Sequence, residues 1–337
     1  FETWYDRHYA RDGASPAARA PSDPNLWRIY KNDYVGTCQA SHFAVVVLFT
    51  LLYLYQGFYV VVGLVCRRWQ DRHQPSRLHR FAVIVSARNE EGVIGELLES
   101  LNRQNYPKEL LDLYVVADNC TDDTAGVARR AGAFVYERFD QVHKGKGYAM
   151  DYLFRRLKEE GKDCYDGYFV FDADNLVDAN FVAEMNRTFD QGYDAVTCYR
   201  NSKNYDSNWI SAGYAVWFLR EAKFLSQARL TLNTSCAISG TGFFIAADII
   251  EKHGGWKWHL LTEDIEFSAQ SILEGVRISY CPTAILYDEQ PITFRDSWNQ
   301  RFRWAKGFYQ VFGKYGLSLV KGVSHPEGIA SPATTCS

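Results

Sequence analysis

The sequence contains no closely spaced cysteine pair. Its eight cysteines are scattered over 337 residues, and none forms a C-x-x-C motif. This absence excludes a zinc ribbon and a dithiol redox couple of the usual spacing. Isolated thiols in a chain of this length favour a reducing compartment, where Cys behaves as a small apolar residue.

A strong net charge is also missing. The chain carries 37 basic and 40 acidic residues, which leaves a formal charge of −3. This balance gives no overall case for binding a nucleic acid polymer. Hydrophobic residues make up 47% of the chain and aromatic residues 15%, which excludes disorder over most of its length. We therefore expect a sizeable catalytic domain with additional segments, or two ordinary domains.

One long segment has no formal charge. Residues 1–42 are polar and interrupted by prolines, whereas residues 43–66 are almost wholly apolar. Because about 20 apolar residues suffice to cross a bilayer as a helix, we predict a transmembrane helix at 43–66. A buried core helix is the alternative. A signal peptide is disfavoured, since the apolar run is too long and begins too late.

The residues after this segment are basic. The arginines stand at Arg67, Arg68, Arg72, Arg77 and Arg80. The positive-inside rule then places the chain from residue 67 onward in the cytoplasm. We therefore expect an integral membrane protein of the cell membrane with a cytoplasmic catalytic domain. We expect both ends of the sequence to be truncated, because it begins with Phe1 and closes on a polar tail.

From residue 81 the pattern changes to strands that alternate with helices. This alternation predicts an α/β fold with mostly parallel strand pairing and ligand binding at the carboxyl ends of the strands. The second half is less regular, with a strand at 193–199, a helix at 211–227 and a glycine-bearing loop and strand at 235–246. In the first half we predict strands at 81–85, 111–117, 133–136 and 168–172, and helices at 92–104 and 146–159.

Two acidic residues follow the fourth of these strands. Asp172 and Asp174 come directly after the apolar run 169–171. Side chains alternate along a strand, so both carboxylates project the same way if the strand continues. Two such carboxylates repel each other unless a cation lies between them, and oxygen ligands suit Mg²⁺ or Mn²⁺. A solvated turn is the competing interpretation, because Asp and Asn favour turns.

Three further motifs carry polar chemistry. The segment 143–147 places two lysines among glycines at a helix start, which suits a diphosphate but also describes a basic turn. The T-E-D triplet 262–264 stands at a helix start, where capping by Thr262 is the alternative explanation. The Q-x-x-R-W motif 300–304 offers an amide, an anion clamp and an aromatic platform, or else an amphipathic helix with a buried Trp.

The order of these motifs resembles one family. D-x-D, T-E-D and Q-x-x-R-W in this sequence are similar to the membrane-embedded family 2 glycosyltransferases, which include cellulose, chitin and hyaluronan synthases and ceramide glucosyltransferase. The resemblance covers about residues 80–315. It implies a GT-A fold and a hexosyltransferase that uses a nucleotide-sugar donor, most simply UDP-linked, with Mg²⁺ or Mn²⁺ as cofactor.

The resemblance also implies roles for residues of this chain. Asp264 would be the general base and Asp174 the metal ligand. The donor and acceptor would be bound by Ala87, Glu90, Asp118, Lys146, Asp172, Gly240, Thr241, Gln300, Arg303 and Trp304. Ala87, Glu90 and Asp118 would hold the nucleotide base and the ribose of the donor. Trp304 would form the floor of the acceptor site. Gly240 and Thr241 fall where the family has an acceptor-side loop.

Two departures from the family pattern stand out. The second motif reads Asp118-Asn119-Cys120, where many members have a second Asp or Gly, and no later transmembrane helices follow.

We divide the chain into a polar segment 1–42, a transmembrane helix 43–66, a cytoplasmic GT-A domain 67–297, a Q-x-x-R-W and interfacial helix 298–320, and a polar tail 321–337. The acceptor remains open between a growing polysaccharide and a lipid that receives a single sugar.

Overall fold

The computed structural model describes residues 24–65 and 75–324. Contacts within the chain divide it into two units, Phe1–Phe58 and Tyr59–Ser337. Arg67, Arg68 and Arg72, on which the prediction of orientation depends, lie outside the described residues.

The first element is one long helix. Helix α1 spans Pro24–Val65, and its portion Gln39–Val65 has a mean hydropathy of 2.1 over the most apolar window. Within the described residues this is the one helix long and apolar enough to cross a membrane. The predicted segment 43–66 coincides with it apart from Cys66, which lies outside the described residues.

The rest of the described chain alternates strands and helices. The strands are β1 Phe81–Ala87, β2 Leu111–Asp118, β3 Phe134–Arg138, β4 Gly167–Asp172, β5 Leu176–Val177, β6 Ala195–Ser202, β7 Phe243–Ala246 and β8 Ile278–Asp288. The helices are α2 Ile94–Asn102, α3 Thr124–Arg130, α4 Lys146–Glu159, α5 Phe181–Phe189, α6 Trp209–Arg220, α7 Gln227–Thr231, α8 Ala247–His253, α9 Glu263–Leu273 and α10 Phe294–Ser324. A short 3₁₀ helix, Lys108–Leu110, precedes β2, and a π-helical segment, Glu221–Ser226, joins α6 to α7.

The strands form a single mixed sheet in the order β3-β2-β1-β4-β7-β6-β8-β5. Strands β3, β2, β1 and β4 pair in parallel, as the alternating pattern predicts. Strand β7 is antiparallel to both of its neighbours, β4 and β6, whereas β6 and β8 are again parallel. The parallel pairings therefore dominate one end of the sheet, and the other end is mixed.

Both faces of the sheet are covered by helices. In β1, Val83 and Val85 face a core that includes Ile94 of α2 and Phe181 of α5. The alternate residues of the same strand face a second core, which contains side chains of α4, α8 and α9. Strands buried on both faces are continuous apolar runs, and this explains why β1 and β4 are recognisable in the sequence.

The pairing directions bring six strand ends to one edge of the sheet. Because β1, β2, β3, β4, β6 and β8 run the same way, their carboxyl ends meet there. The amino end of β7 lies at the same edge, since β7 runs in the opposite direction. The motifs that follow β4 and precede β7 are therefore placed side by side by topology.

Helix α10 packs on α9 along one side only. A Cβ atom added to Gly307 would lie 2.4 Å from Thr262, so the two helices approach closely at this point. Farther along, Lys314 donates to the buried Glu266 at 2.6 Å. The opposite side of α10 exposes large apolar side chains, namely Phe294, Trp298, Phe302, Tyr309, Phe312, Leu317 and Val320.

Candidate active site

The D-x-D turn is fixed by its neighbours rather than by solvent. The backbone N–H of Asp172 donates to the hydroxyl of Thr241 at 2.9 Å and to the side-chain oxygen of Asn175 at 3.1 Å. Thr241 in turn donates its hydroxyl hydrogen to Asn175. Two residues later, β5 pairs with β8 and anchors the outgoing chain. A solvated turn, the competing interpretation, does not describe this buried network.

Asp174 lies in a region of concentrated negative charge. Burial raises the pKa of its carboxyl group to about 7, with further contributions from the nearby Asp288 and Asp172. Burial and the charge of Asp172 also raise the pKa of Glu90, which lies in the turn after β1. A buried carboxylate with like-charged neighbours favours either a proton or a cation.

The donor set at this turn fits a divalent cation that arrives with a phosphate-bearing substrate. Among the described residues, no three His, Cys, Asp or Glu side chains are close enough to form a complete metal site. Mg²⁺ is commonly held by one or two carboxylates together with substrate phosphates, and Mn²⁺ accepts the same oxygen ligands. Asp174 and its neighbours supply that partial set.

Lys146 connects the D-x-D turn after β4 to the loop that precedes β7. It begins α4, and its ammonium donates to Asp172 at 2.6 Å and to the carbonyl of Gly240 at 2.8 Å. Burial would lower the pKa of this ammonium, but Asp172, Glu263 and Asp264 outweigh that effect and raise it. The group therefore stays charged at the head of a helix, where backbone N–H groups also favour an anion.

Close packing sets the position of the α4 head. A Cβ atom at Gly147 would lie 2.3 Å from the carbonyl oxygen of Trp258, so only glycine permits this approach. The neighbouring rings of Tyr148 and His259 have centroids 4.4 Å apart. The segment before T-E-D is thereby held against the lysine-bearing helix start.

The T-E-D triplet begins α9. Thr262 occupies the N-cap position but makes no side-chain capping bond, and its buried hydroxyl oxygen has no hydrogen-bond partner in the part of the chain that the structure describes. Capping by Thr262 therefore does not account for the motif. The backbone N–H of Gly240 donates to Asp264 Oδ2 at 2.6 Å.

Both acidic residues of the triplet have raised pKa values. Burial raises the pKa of Asp264, against the opposing effects of backbone N–H donors and Lys146. Burial also raises the pKa of Glu263 to about 7, although Lys146 lowers it and Asp264 adds to the increase. A carboxylate with a raised pKa is a better proton acceptor near neutral pH than an exposed one.

The Q-x-x-R-W residues face the same space from α10. Gln300, Arg303 and Trp304 line the cleft, and the ring of Trp304 contacts Tyr214 of α6 edge-on at 6.0 Å between centroids. The side-chain oxygen of Gln300 is buried and has no hydrogen-bond partner within residues 24–65 and 75–324. Arg303 makes no ion pair with any side chain in the described part of the chain.

One cleft of about 500 Å³ collects most of the predicted site residues. Its lining includes Glu90, Lys146, Asp172, Asp174, Gly240, Asp264, Gln300, Arg303 and Trp304. The volume lies within the range of about 300–1,000 Å³ that is typical of small-molecule sites. The cleft has acidic, basic and aromatic walls, so it can accommodate a charged donor and a ring-shaped acceptor together.

Three predicted residues lie outside the lining of this cleft. Thr241 is buried beneath the D-x-D turn and supports it. Ala87 is buried at the end of β1, and its carbonyl accepts a weak hydrogen bond from Cys120. Asp118 is buried at the end of β2 and is paired with Arg138 at 2.6 Å.

The sequence did not reveal a buried ion pair next to the D-x-D turn. Arg200 near the end of β6 binds Asp288 at the end of β8. Asp288 also accepts hydrogen bonds from Asn175 at 2.7 Å and from Gln290 at 2.6 Å. No local pattern announces these residues, because the pairing of β6 with β8 brings them together.

The fold, a mixed sheet flanked by helices, is that of a GT-A-like glycosyltransferase. Consistent with this class, residues 79–307 match the family model described as "Glycosyltransferase like family 2". The chain belongs to this glycosyltransferase family.

Curated relatives are similar to the chain over most of its length. It is 27% identical over 275 residues to "Probable glycosyltransferase YdaM" of Bacillus subtilis, covering 75% of this chain and 60% of that protein. It is 25% identical over 234 residues to "Beta-monoglucosyldiacylglycerol synthase" of Synechocystis, covering 69% and 48%. It is 26% identical over 259 residues to "Poly-beta-1,6-N-acetyl-D-glucosamine synthase" of Staphylococcus aureus, covering 74% and 59%.

The chain spans about half to three fifths of the length of these relatives. Among solved structures, a mannosyltransferase from Pyrobaculum calidifontis in complex with GDP-Man and Mn²⁺ matches with a TM-score of 0.60 and 20% identity. That match covers 80% of this chain and 74% of the other, and it shows the shared fold.

Proposed function

We propose that this chain carries the catalytic part of a membrane-bound, inverting glycosyltransferase. The donor is a nucleotide-sugar, most simply a UDP-sugar, and the acceptor is a growing polysaccharide. The observation that carries the proposal is the meeting of D-x-D, T-E-D and Q-x-x-R-W side chains on one cleft. A donor site, a base and an aromatic platform are the parts that sugar transfer requires.

The donor occupies the wall formed by β1, β2 and β4. Asp172 contacts the ribose, and Ala87, Glu90 and Asp118 form the part of the site that holds the base and ribose. The backbone at Ala87 and the ion pair of Asp118 with Arg138 contribute through positioning, because neither side chain lines the cleft.

The leaving diphosphate gains negative charge as the glycosidic bond breaks. Lys146 and Arg303 lie on the cleft and offset this charge where it develops. The amide of Gln300, whose oxygen has no partner among the described residues, hydrogen-bonds the substrate from the same helix. Asp174 would hold a Mg²⁺ or Mn²⁺ ion, which would further stabilise this developing charge.

Asp264 accepts the proton of the acceptor hydroxyl. Burial raises its pKa, and the N–H of Gly240 fixes the direction of its carboxylate. A base in that position allows the hydroxyl to attack the anomeric carbon opposite to the leaving diphosphate, which inverts the configuration and gives a β-linked product. General-base assistance of this kind contributes about 10²–10⁴ in rate.

The acceptor lies between the Gly240–Thr241 turn and Trp304. Sugars pack their C–H faces on aromatic rings, and Trp304 offers such a ring in the cleft. Similarity to a polysaccharide synthase supports a growing polysaccharide as acceptor, and similarity to a glucosyldiacylglycerol synthase supports a lipid that receives one sugar.

The membrane location is supported by two helices taken separately. The apolar part of α1 is long enough to span a bilayer, and α10 exposes a row of aromatic side chains that suits a lipid surface. We propose a transmembrane helix at 43–66, a cytoplasmic GT-A domain at 67–297 and an interfacial helix at 298–320. The 1–42 and 321–337 segments flank these parts.

The direct experiment is a UDP-release screen on membranes that carry the full-length protein. A panel of UDP-sugars is tested with Mn²⁺, with Mg²⁺ and with EDTA. We expect metal-dependent UDP release with one donor, and a labelled product that runs as a ladder or polymer on a gel. One discrete glycolipid would instead establish the lipid acceptor, and the absence of release with every donor would contradict the proposal.

A further inference from the structure

The turn formed by Ser239, Gly240 and Thr241 makes hydrogen bonds to several residues of the proposed site. Thr241 holds the D-x-D turn through the N–H of Asp172. Gly240 donates its N–H to Asp264 and accepts a hydrogen bond from Lys146. The turn therefore contacts the donor side through Thr241 and the base through the Gly240 N–H, which belongs to the same peptide unit as the Ser239 carbonyl.

The turn needs support, because its own conformation is unusual. Gly240 has φ +76° and Gly242 has φ +66°, and both values lie in the left-handed region that favours glycine. Glycines permit the conformation but do not enforce it, since they are also the residues with the most conformational freedom when unconstrained.

Arg200 supplies a rigid support from β6. Its Nη1 donates to the Ser239 carbonyl at 3.0 Å and approaches the Ser239 hydroxyl at 3.4 Å. Its Nε donates to Asp288 at 3.0 Å, and its Nη2 donates to the same carboxylate oxygen. The guanidinium carbon also lies 3.9 Å from the centroid of the Phe218 ring.

This arrangement leaves Arg200 little capacity to bind substrate. Arg200 also lines the cleft, but its side chain is only 13% exposed and its charge is compensated by the buried carboxylate of Asp288. Most of its N–H groups are already used, and one ring covers its face. Arg303, which forms no ion pair in the described part of the chain, is the contrasting case of an arginine available to an anion.

We propose that Arg200 is a positioning residue for the transfer step. It fixes Ser239 relative to Asp288, and thereby holds the Gly240 N–H at the carboxylate of Asp264. This inference rests on the proposed role of Asp264 as base. Because a planar guanidinium forms its bonds in a fixed fork, lysine cannot reproduce the same support.

The test is a double-mutant cycle on the full-length protein in membranes. Arg200→Ala, Asp264→Asn and the double variant are compared for the rate of sugar transfer and for donor binding with Mn²⁺. We expect Arg200→Ala to lower kcat by about 10²-fold, the cost of a misplaced catalytic group, with an unchanged donor Kd. In the Asp264→Asn background, Arg200→Ala should have no further effect, because both changes remove the same contribution.

Two additions separate positioning from a loss of folding. Free guanidinium ion should restore part of the activity of Arg200→Ala by occupying the vacated space, whereas Arg200→Lys should remain impaired. Arg229→Ala is the matched control: Arg229 is 19% exposed and pairs with Glu221 at 2.9 Å, but it does not line the cleft. We expect this variant to keep the wild-type rate.

The outcomes test the positioning role of Arg200 separately from the role of Asp264 as base. A weakened donor Kd in Arg200→Ala would show that Arg200 binds the donor directly, and multiplied losses in the cycle would show that it acts independently of Asp264. Either result overturns the positioning role, as would an equal loss in Arg229→Ala. Wild-type turnover in Asp264→Asn alone would instead overturn the base itself.

Discussion

A buried carboxylate close to two others destabilises a protein unless a proton or a cation neutralises it. Asp174 is in this position, since burial, Asp288 and Asp172 raise the pKa of its carboxyl group to about 7. At pH values above 7 the metal-free protein must hold it ionised. The site is therefore optimised for a ligand at the expense of the stability of the free protein.

This conflict predicts a stabilising substitution that abolishes function. Asp174→Asn should raise the Tm of the metal-free protein at pH 8, by about 2–4 °C for each kcal/mol of relieved repulsion. The sign follows from linkage. A folded pKa raised from 3.8 to about 7 carries no penalty below pH 3.8, a growing penalty between those values and the full penalty above pH 7.

Thermal unfolding in EDTA at pH 8 and pH 4 measures this difference. Wild type and variant should differ at pH 8 and converge at pH 4. Addition of Mn²⁺ with UDP should raise the Tm of wild type and leave that of Asp174→Asn nearly unchanged. A lower Tm for the variant at pH 8, or an equal response to Mn²⁺ and UDP, would contradict the assignment.

At the scale of elements, the head of α4 depends on one close approach. Gly147 lies against the carbonyl oxygen of Trp258, and a Cβ atom would come within 2.3 Å of it. Gly147→Ala should therefore push the helix start away from the T-E-D segment. Because Lys146 is the adjacent residue, we expect weaker donor binding and a free energy of unfolding reduced by about 1–3 kcal/mol.

The matched control for this change is Gly213→Ala. Gly213 lies in α6 with nothing within 4 Å of an added Cβ atom, so alanine should stabilise the helix by about 0.5–1 kcal/mol. Donor titration and denaturant unfolding of both variants provide the comparison. Unchanged donor affinity in Gly147→Ala would show that the approach to Trp258 does not position Lys146.

The elements that the sequence predicts well are those with strong local patterns. Helix α4 begins and ends where predicted, at Lys146 and Glu159, and β1, β2 and β4 agree within about two residues. Each strand is a mostly continuous apolar run, and α4 has a helical apolar period between Gly145 and Gly161. The predicted parallel pairing of β1 with β2 and with β4 is confirmed.

The elements that the sequence missed depend on distant pairing. Strand β8 and the two-residue strand β5 were not predicted, and nothing local marks β7 as antiparallel between β4 and β6. The ion pair of Arg200 with Asp288 joins residues 88 positions apart and was missed with them. Topology, rather than composition, brings these side chains to the cleft.

At the scale of the whole molecule, helix α10 lines the cleft with one side and exposes apolar side chains on the other. Gln300, Arg303 and Trp304 face the cleft, whereas Phe302 and Tyr309 are 66% and 79% exposed. A helix with this division can bind substrate on one side and contact lipid on the other. Transfer would then occur next to the membrane surface.

Photocrosslinking tests the lipid contact. A benzophenone amino acid placed at Phe302 or Tyr309 in the membrane-embedded full-length protein should form adducts with radiolabelled lipid. Phe134 is the control, because it is also exposed, at 51%, but lies on the edge strand β3. Equal labelling at Phe134, or no labelling at the α10 positions, would contradict an interfacial role for this helix.

The central claim is that Asp264 takes the proton from the acceptor in a nucleotide-sugar transferase. The most direct measurement compares donor binding and sugar transfer in Asp264→Asn and wild type, with the same UDP-sugar and Mn²⁺. The substitution keeps the shape of the side chain, so it should leave the donor Kd unchanged and lower transfer by about 10²–10⁴-fold. Wild-type turnover in Asp264→Asn, or loss of donor binding together with transfer, would contradict the role of this residue.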